Sequence, residues 1–147
     1  MTGLDIALAA THARAFATAR PWTAAEFSAL LASPGVILSG DATAFVLGRV
    51  TLDEAEILTL ATDPAARRQG LARAALIRFE QIAGQAGARV AFLEVAEDNA
   101  AARALYAGAG YAQVARRPSY YAALAGNRVA ALVLRKPLLS QDTANLR

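Results

Sequence analysis

Apolar and polar positions follow two different periods along this chain, and the changes of period divide it into ten elements. From Asp5 to Ala19, Ile6, Leu8, Ala9, Ala13 and Phe16 recur at near-helical spacing and predict a first helix, with His12 on its surface. Arg20-Pro21-Trp22 ends it, because the residue before a proline is pushed out of helical geometry. Thr23-Ala24-Ala25-Glu26 is a capping box opening a second helix to about Ala32, and Ser33-Pro34-Gly35 stops that helix. Two β-rich runs, Val36 to Leu38 and Thr43 to Thr51, flank the turn residues Ser39 to Ala42 and predict a hairpin. A third strand, Ala55 to Thr62, follows Leu52-Asp53-Glu54. Leu71, Ala75, Phe79, Ile82 and Ala86 then form the stripe of a long helix from about Gly70 to Ala86, ended by Gly87. Arg89 to Val95 reads as a strand and Asn99 to Gly108 as a short helix. Tyr111 to Val114 and Val129 to Leu134 read as two closing strands, with Arg116 to Tyr121 in the loop between them. The order ααβββαβαββ predicts an α/β fold, a mixed sheet with helices packed on it.

Composition narrows the chemistry. At 147 residues the chain reads as a single domain, 1–147, with residues 140–147 a polar, fraying tail. The apolar fraction of 56% is raised by alanine and predicts an alanine-packed core. No apolar run is long enough to span a bilayer, and Asp5 ahead of the first apolar positions reads as helix rather than export signal. The expectation is a cytoplasmic protein without membrane contact. With no cysteine, neither a thiolate nucleophile nor a cysteine-ligated zinc is available, and one histidine disfavours a multi-histidine metal site. No metal is expected. The net charge of +3 suits a polyanionic ligand.

The stretch Thr59 to Ala72, TLATDPAARRQGLA, gives that ligand a place. A strand ends at Asp63-Pro64, and a helix opens at Gly70. Small residues at Gly70 and Ala72 let a ligand approach the main chain, while the first helical turn offers unbonded N–H groups to an anion. Arg67 and Arg68 add full charges beside it. This is a phosphate cradle, though neither the Walker pattern nor G-x-G-x-x-G is present. The arginines gather at a helix mouth beside apolar strands rather than along an aromatic-studded basic face, which disfavours nucleic acid.

Arg67-x-x-Gly70-x-Ala72 after such a strand resembles the pyrophosphate motif of the GCN5-related N-acetyltransferases, Q/R-x-x-G-x-G/A. Leu93-Glu94-Val95, then Asn99 through Tyr106, then Gly110-Tyr111 resemble the signature of that superfamily's ribosomal-protein-alanine (RimI-type) subgroup. Pro21-Trp22, Asp53-Glu54-Ala55, Arg116-Arg117 and Tyr120-Tyr121 match the subgroup too, so the likeness runs from about Asp5 to Pro137. It departs in three places. The family's first strand is missing or reduced to Thr2 to Leu4. Ala72 replaces a glycine, and Asn127-Arg128-Val129-Ala130 stands where the subgroup carries an acidic residue.

The resemblance implies the acyl-CoA N-acyltransferase fold, with its first strand short or missing, and acetyl-CoA as co-substrate. Thr59, Leu60, Ala61, Thr62, Arg67, Arg68, Gln69, Gly70, Leu71, Ala72 and Asn99 would bind it, with the pantetheine arm between strand ends splayed after Thr62 and Val95. The implied acceptor is a peptide or protein N-terminus, a ribosomal protein in the subgroup. Trp22, Tyr120 and Tyr121 are either core aromatics or walls of an acceptor groove. Alternation places Glu94 with Val90 and Phe92, either as an exposed strand-end carboxylate or as a partly desolvated base. Glu56 on the third strand is the rival base. Tyr106 is either core packing or the acid that returns a proton to the leaving sulfur, and Asn99 also reads as a helix N-cap. The other readings are a lysine or small-molecule amine as acceptor, and a non-catalytic CoA-, nucleotide- or nucleic-acid-binding module.

Overall fold

In a computed structural model of the chain, residues 3–16, 21–122 and 128–138 are described, side chains of 119–122 excepted. The ten elements occur in the expected order: α1 (Gly3–Ala15), α2 (Ala24–Leu31), β1 (Val36–Gly40), β2 (Ala44–Thr51), β3 (Glu54–Thr62), α3 (Leu71–Gln85), β4 (Val90–Ala96), α4 (Ala100–Gly108), β5 (Ala112–Ala122) and β6 (Arg128–Pro137). Gly3 and Leu4 are helical, and the six-stranded sheet begins at Val36. The predicted tail from Ser140, the helical extension over Ala17 to Ala19 and Asn127 lie outside the described residues.

Sheet order is β1-β2-β3-β4-β6-β5, antiparallel throughout except where β3 meets β4. Central β2 is buried from Ala44 through Gly48, as a strand covered on both faces must be. On one face α3 and α4 cover a core containing Ile57, Leu76, Phe79, Leu93, Tyr106 and Leu132. On the other, α1 and α2 close over Leu8, Phe27, Phe45, Leu47 and Ala61. Alanines fill much of the interior as expected, but Phe27, Phe45 and Phe79 are its largest fully buried side chains. Gly48 makes room for one of them: an added Cβ would collide with the Phe79 ring and lie 2.6 Å from the Glu56 carbonyl oxygen.

Three expectations need correcting. The stripe of α3 is rotated, with Ala75, Leu76, Phe79 and Ala83 buried. Leu71 is exposed, standing at the helix mouth, and Ala86 is exposed at the other end. In α1 the buried positions are Asp5, Leu8, Thr11 and His12, while Ile6 and Ala13 are exposed. The run Arg116 to Tyr121 is strand, not loop. Among the described residues β5 is a sheet edge bonded to β6 alone, a position that tolerates both polar side chains and Pro118.

Candidate active site

Strands β3 and β4 pair in parallel at only three positions, Glu54 with Val90, Ala55 with Ala91 and Glu56 with Phe92. Beyond them the strands separate, earlier than the expected point after Thr62 and Val95. The four further residues of β4, Leu93 to Ala96, leave a slot about 13 Å long at roughly 3.3 Å per residue. It opens at the carboxyl ends of two parallel strands, where open α/β sheets bind ligands.

A bulge shapes the β3 side. Register slips between Leu47 and Gly48, so that Gly48 faces Ile57 but Leu47 faces Thr59. The extra residue reverses the faces of the strand. Ala55 and Ile57 lie in the α3-side core, whereas Ala61 joins the α1–α2 side and Leu60 packs against the α3 side. Thr59 turns with Ala61 and meets His12, whose Nε2 is 3.2 Å from Thr59 Oγ1. Because His12 Nδ1 accepts the Trp22 N–H at 3.1 Å, the neutral ring must carry its proton on Nε2 and donate it to Thr59. Phe16 and Trp22 stack on this imidazole and Phe27 meets it edge-on, leaving it 3% exposed rather than on the helix surface.

Past Thr62 the chain forms the cradle. Asp63 caps a 3-10 turn, Pro64–Ala66, by accepting from the Ala65 N–H, and Arg14 of α1 bonds the same carboxylate at 2.8 Å. These two contacts, the backbone one the larger, hold the Asp63 carboxyl below its ordinary range. Arg68 (φ 65°) and Gly70 (φ 74°) both take left-handed backbone, and the first bond of α3 runs from the Ala74 N–H to the Gly70 carbonyl. The N–H groups of Leu71, Ala72 and Arg73 therefore remain available at a positive helix end. Around them Arg67, Arg68, Gln69 and Leu71 are exposed, Ala72 is half-buried, and an added Cβ on Gly70 would meet nothing within 4 Å. The cradle is open, cationic and unobstructed. One open hollow of 410 Å³ borders the cradle at Leu71, between α3 and the β1–β2 turn, and another of 340 Å³ lies beneath α4.

The two proposed catalytic side chains lie on opposite faces of the sheet. Leu93 and Val95 point into the α3–α4 core, so Glu94 lies on the other face, half-buried, with the Arg117 guanidinium 3.2 Å from its Oε1. Glu56 shares that face but sits at the last paired rung, opposite Phe92, and is exposed. Tyr106 lies across the sheet on α4, 5% exposed, its ring edge-on to Tyr111 at 5.5 Å. Burial pushes its phenol well above the ordinary value, so it stays protonated at neutral pH. Asn99 caps α4, accepting the Ala102 N–H at 3.1 Å through Oδ1. Trp22 is half-buried against the aromatic set around His12. Tyr120 and Tyr121 lie on β5, their side chains outside the described residues. Sequence reading missed the buried His12, the Arg14–Asp63 clamp and the Arg117–Glu94 pair. Only His12 carried a signal, being four residues beyond Leu8 on one helical face.

The sheet thus splits at a parallel junction, with an open, cationic helix end beyond β3, Glu94 on one face and Tyr106 on the other. The sequence matches the Acetyltransferase (GNAT) family over residues 7–111. It is 34% identical over 134 residues to the [ribosomal protein bS18]-alanine N-acetyltransferase of Escherichia coli K12, covering 88% of this chain and 90% of that one. It is 36% identical over 119 residues to the N-alpha-acetyltransferase RimI of Mycobacterium tuberculosis, covering 75% and 73%. The crystal structure of the ribosomal-protein-S18-alanine N-acetyltransferase from Escherichia coli superposes with a TM-score of 0.81 at 31% identity, covering 94% and 90%. The chain belongs to the GNAT family of acetyltransferases. It is an N-acetyltransferase with acetyl-CoA as its donor. Among the described residues no group of His, Asp or Glu is arranged to hold a metal, and no helix is long and apolar enough to cross a membrane.

Proposed function

We propose that this enzyme acetylates the N-terminal α-amine of a protein or peptide, with a ribosomal protein as the acceptor class named for its relatives. The observation that carries the reading is the slot beyond the Glu56–Phe92 rung, with Glu94 on one face and Tyr106 on the other. Acetyl-CoA supplies an activated thioester. Arg67, Arg68 and the N–H groups of Leu71 and Ala72 hold its diphosphate, while the unpaired edges of Thr59 to Thr62 and Leu93 to Ala96 bracket the pantetheine arm. Glu94 receives the proton that the acceptor ammonium must lose before it can attack the thioester carbonyl. Tyr106 gives a proton to the departing CoA sulfur, so both charges are met as they form. With no cysteine to carry an acyl group, transfer is direct between two bound substrates. An α-amine of pKa near ~8 suits this machinery better than a lysine near ~10.4, because less of it must be deprotonated by Glu94. Acting on ribosomal proteins would place the enzyme in the cytoplasm.

The test is release of free CoA in three parallel reactions: an alanine-starting peptide without lysine, an N-terminally blocked peptide with one lysine, and no acceptor. Release with the first alone is expected. Release with only the blocked lysine peptide would move the acceptor to a side chain, and no acceptor-dependent release would end the peptide reading.

A further inference from the structure

Helix α4 closes on a hydrogen-bonded turn whose last member is Tyr111. The Gly110 N–H bonds the Ala107 carbonyl at 3.1 Å, Gly110 takes φ 99°, and the Tyr111 N–H returns to the Tyr106 carbonyl at 3.0 Å. Such a turn often brings the side chains of its two ends together, and the Tyr111 ring meets the Tyr106 ring edge-on, at 67° and 5.5 Å. An apolar residue would do for that contact. Tyr111 adds a hydroxyl, which donates to Glu80 Oε2 of α3 at 2.9 Å. Burial, ahead of the Glu80 charge, raises the Tyr111 phenol, so it keeps the proton it gives to that carboxylate. The other oxygen of Glu80 accepts from Lys136 Nζ of β6 at 2.8 Å. The Lys136 stem runs past Gly110, its Cε 3.5 Å from where an added Cβ would stand.

The Glu80 side chain is 12% exposed and that of Lys136 26%. An ion pair drawn this far from water gains little over apolar packing, so stability alone does not call for it. What the network fixes is direction. It ties the Tyr111 ring to a helix and a strand outside α4, and that ring is one of the surfaces against which Tyr106 lies. We propose that Tyr111 is a positioning residue for Tyr106: held by Glu80 and Lys136, it sets the angle at which the Tyr106 ring stands and so where the phenol meets the departing sulfur. On the reading of Tyr106 as the acid, on which this rests, a ring free to rock would lose rate without losing bound donor. Tyr111 touches neither substrate and acts through Tyr106.

The test is a double-mutant cycle of Tyr111→Phe and Tyr106→Phe, read as kcat at saturating acetyl-CoA with whichever of the two peptides above releases CoA faster. Tyr111→Phe keeps the ring and loses the bond to Glu80. It should lower kcat about tenfold with acetyl-CoA affinity unchanged, and by less than about twofold where Tyr106 is already Phe. An equal loss in both backgrounds makes Tyr111 a structural residue and overturns the inference. So does an undiminished kcat in Tyr111→Phe beside a slow Tyr106→Phe, which leaves the acid reading standing. A Tyr106→Phe enzyme as fast as the wild type removes the acid reading, and this inference with it. Where Tyr111→Phe folds poorly, Glu80→Gln and Glu80→Leu carry the comparison. Glu80→Gln keeps an acceptor for the Tyr111 hydroxyl and should be the milder; equal losses overturn the inference. NMR of ring-labelled tyrosine answers without any acceptor. With CoA bound, the Tyr106 signal, assigned by its loss in Tyr106→Phe, should broaden or split in Tyr111→Phe, and an unchanged signal overturns the inference.

Discussion

At the scale of single residues, the proposed mechanism separates proton removal from proton return, because Glu94 and Tyr106 stand on opposite sides of one sheet. Glu94→Gln keeps shape and hydrogen bonding but cannot accept a proton, so turnover should fall by roughly 10²–10⁴ with acetyl-CoA affinity little changed. Glu56→Gln is the needed comparison, because that carboxylate shares the face one rung lower. If Glu56→Gln is the crippled variant and Glu94→Gln turns over nearly normally, the base lies on β3. Tyr106→Phe should lower turnover at saturating substrates without weakening acetyl-CoA binding. Burial raises the Tyr106 phenol above its ordinary 10.0, so no loss of activity from its ionisation should appear below pH 10. The sign is that of an acid kept neutral: its contribution is intact below the unfolded value and is lost only as pH rises through the folded one. A fall in rate centred near pH 9 that disappears in Tyr106→Phe would count against this assignment. Strand alternation set Glu94 apart from Leu93 and Val95, while Tyr106 stood out through the resemblance to the family's signature. The sequence did not show Arg117 against Glu94, which depends on β6 inserting between β4 and β5. Nor did it show His12 inside, since the reading of α1 weighed apolar letters and passed over Asp5, Thr11 and His12 on one face.

At the scale of elements, caps and breakers proved the most legible features. The Thr23–Glu26 capping box forms with both reciprocal bonds, and Asn99 caps α4 as read. The stripe of α3 was the less faithful signal, because the helix overhangs the sheet at its start and leaves Leu71 outside. That overhang exposes the amide cluster of the cradle. Gly70→Asp adds a carboxylate where the diphosphate is expected, and an added Cβ there meets no neighbour within 4 Å. The fold should therefore survive, with a cost of roughly 1–3 kcal/mol for a side chain at φ 74°, while acetyl-CoA affinity collapses. Gly70→Ala carries the same backbone cost without the charge. Calorimetry on the two variants separates strain from repulsion, and equal affinities would show that charge at this position does not matter. The bulge at Leu47/Gly48 had no readable mark beyond the glycine itself. Gly48→Ala should destabilise by at least ~1–3 kcal/mol in chemical denaturation, through its clash with Phe79 and the Glu56 carbonyl.

At the scale of the whole molecule, the order of elements and the mixed sheet could be written down from periodicity, but the edge character of β5 could not. Polar letters and Pro118 look like a loop until the sheet order shows that, among the described residues, one side of the strand has no neighbour. The same order divides the protein at its centre. On one side stand β1, β2 and β3 with α1 and α2; on the other β4, β6 and β5; and three parallel rungs with α3 join them. Among the described residues the backbone groups on the slot side of Leu58 to Thr62 and Leu93 to Ala96 have no strand opposite, so without donor bound their amides should exchange with solvent hydrogen quickly. A bound donor would stand where the missing ladder would have been. It should slow that exchange in both halves together and add about 2.7 kcal/mol to unfolding at a hundredfold excess over its dissociation constant. The donor would then be the seventh strand of the sheet in all but chemistry, and the enzyme would give up part of its own rigidity each time the spent carrier departs.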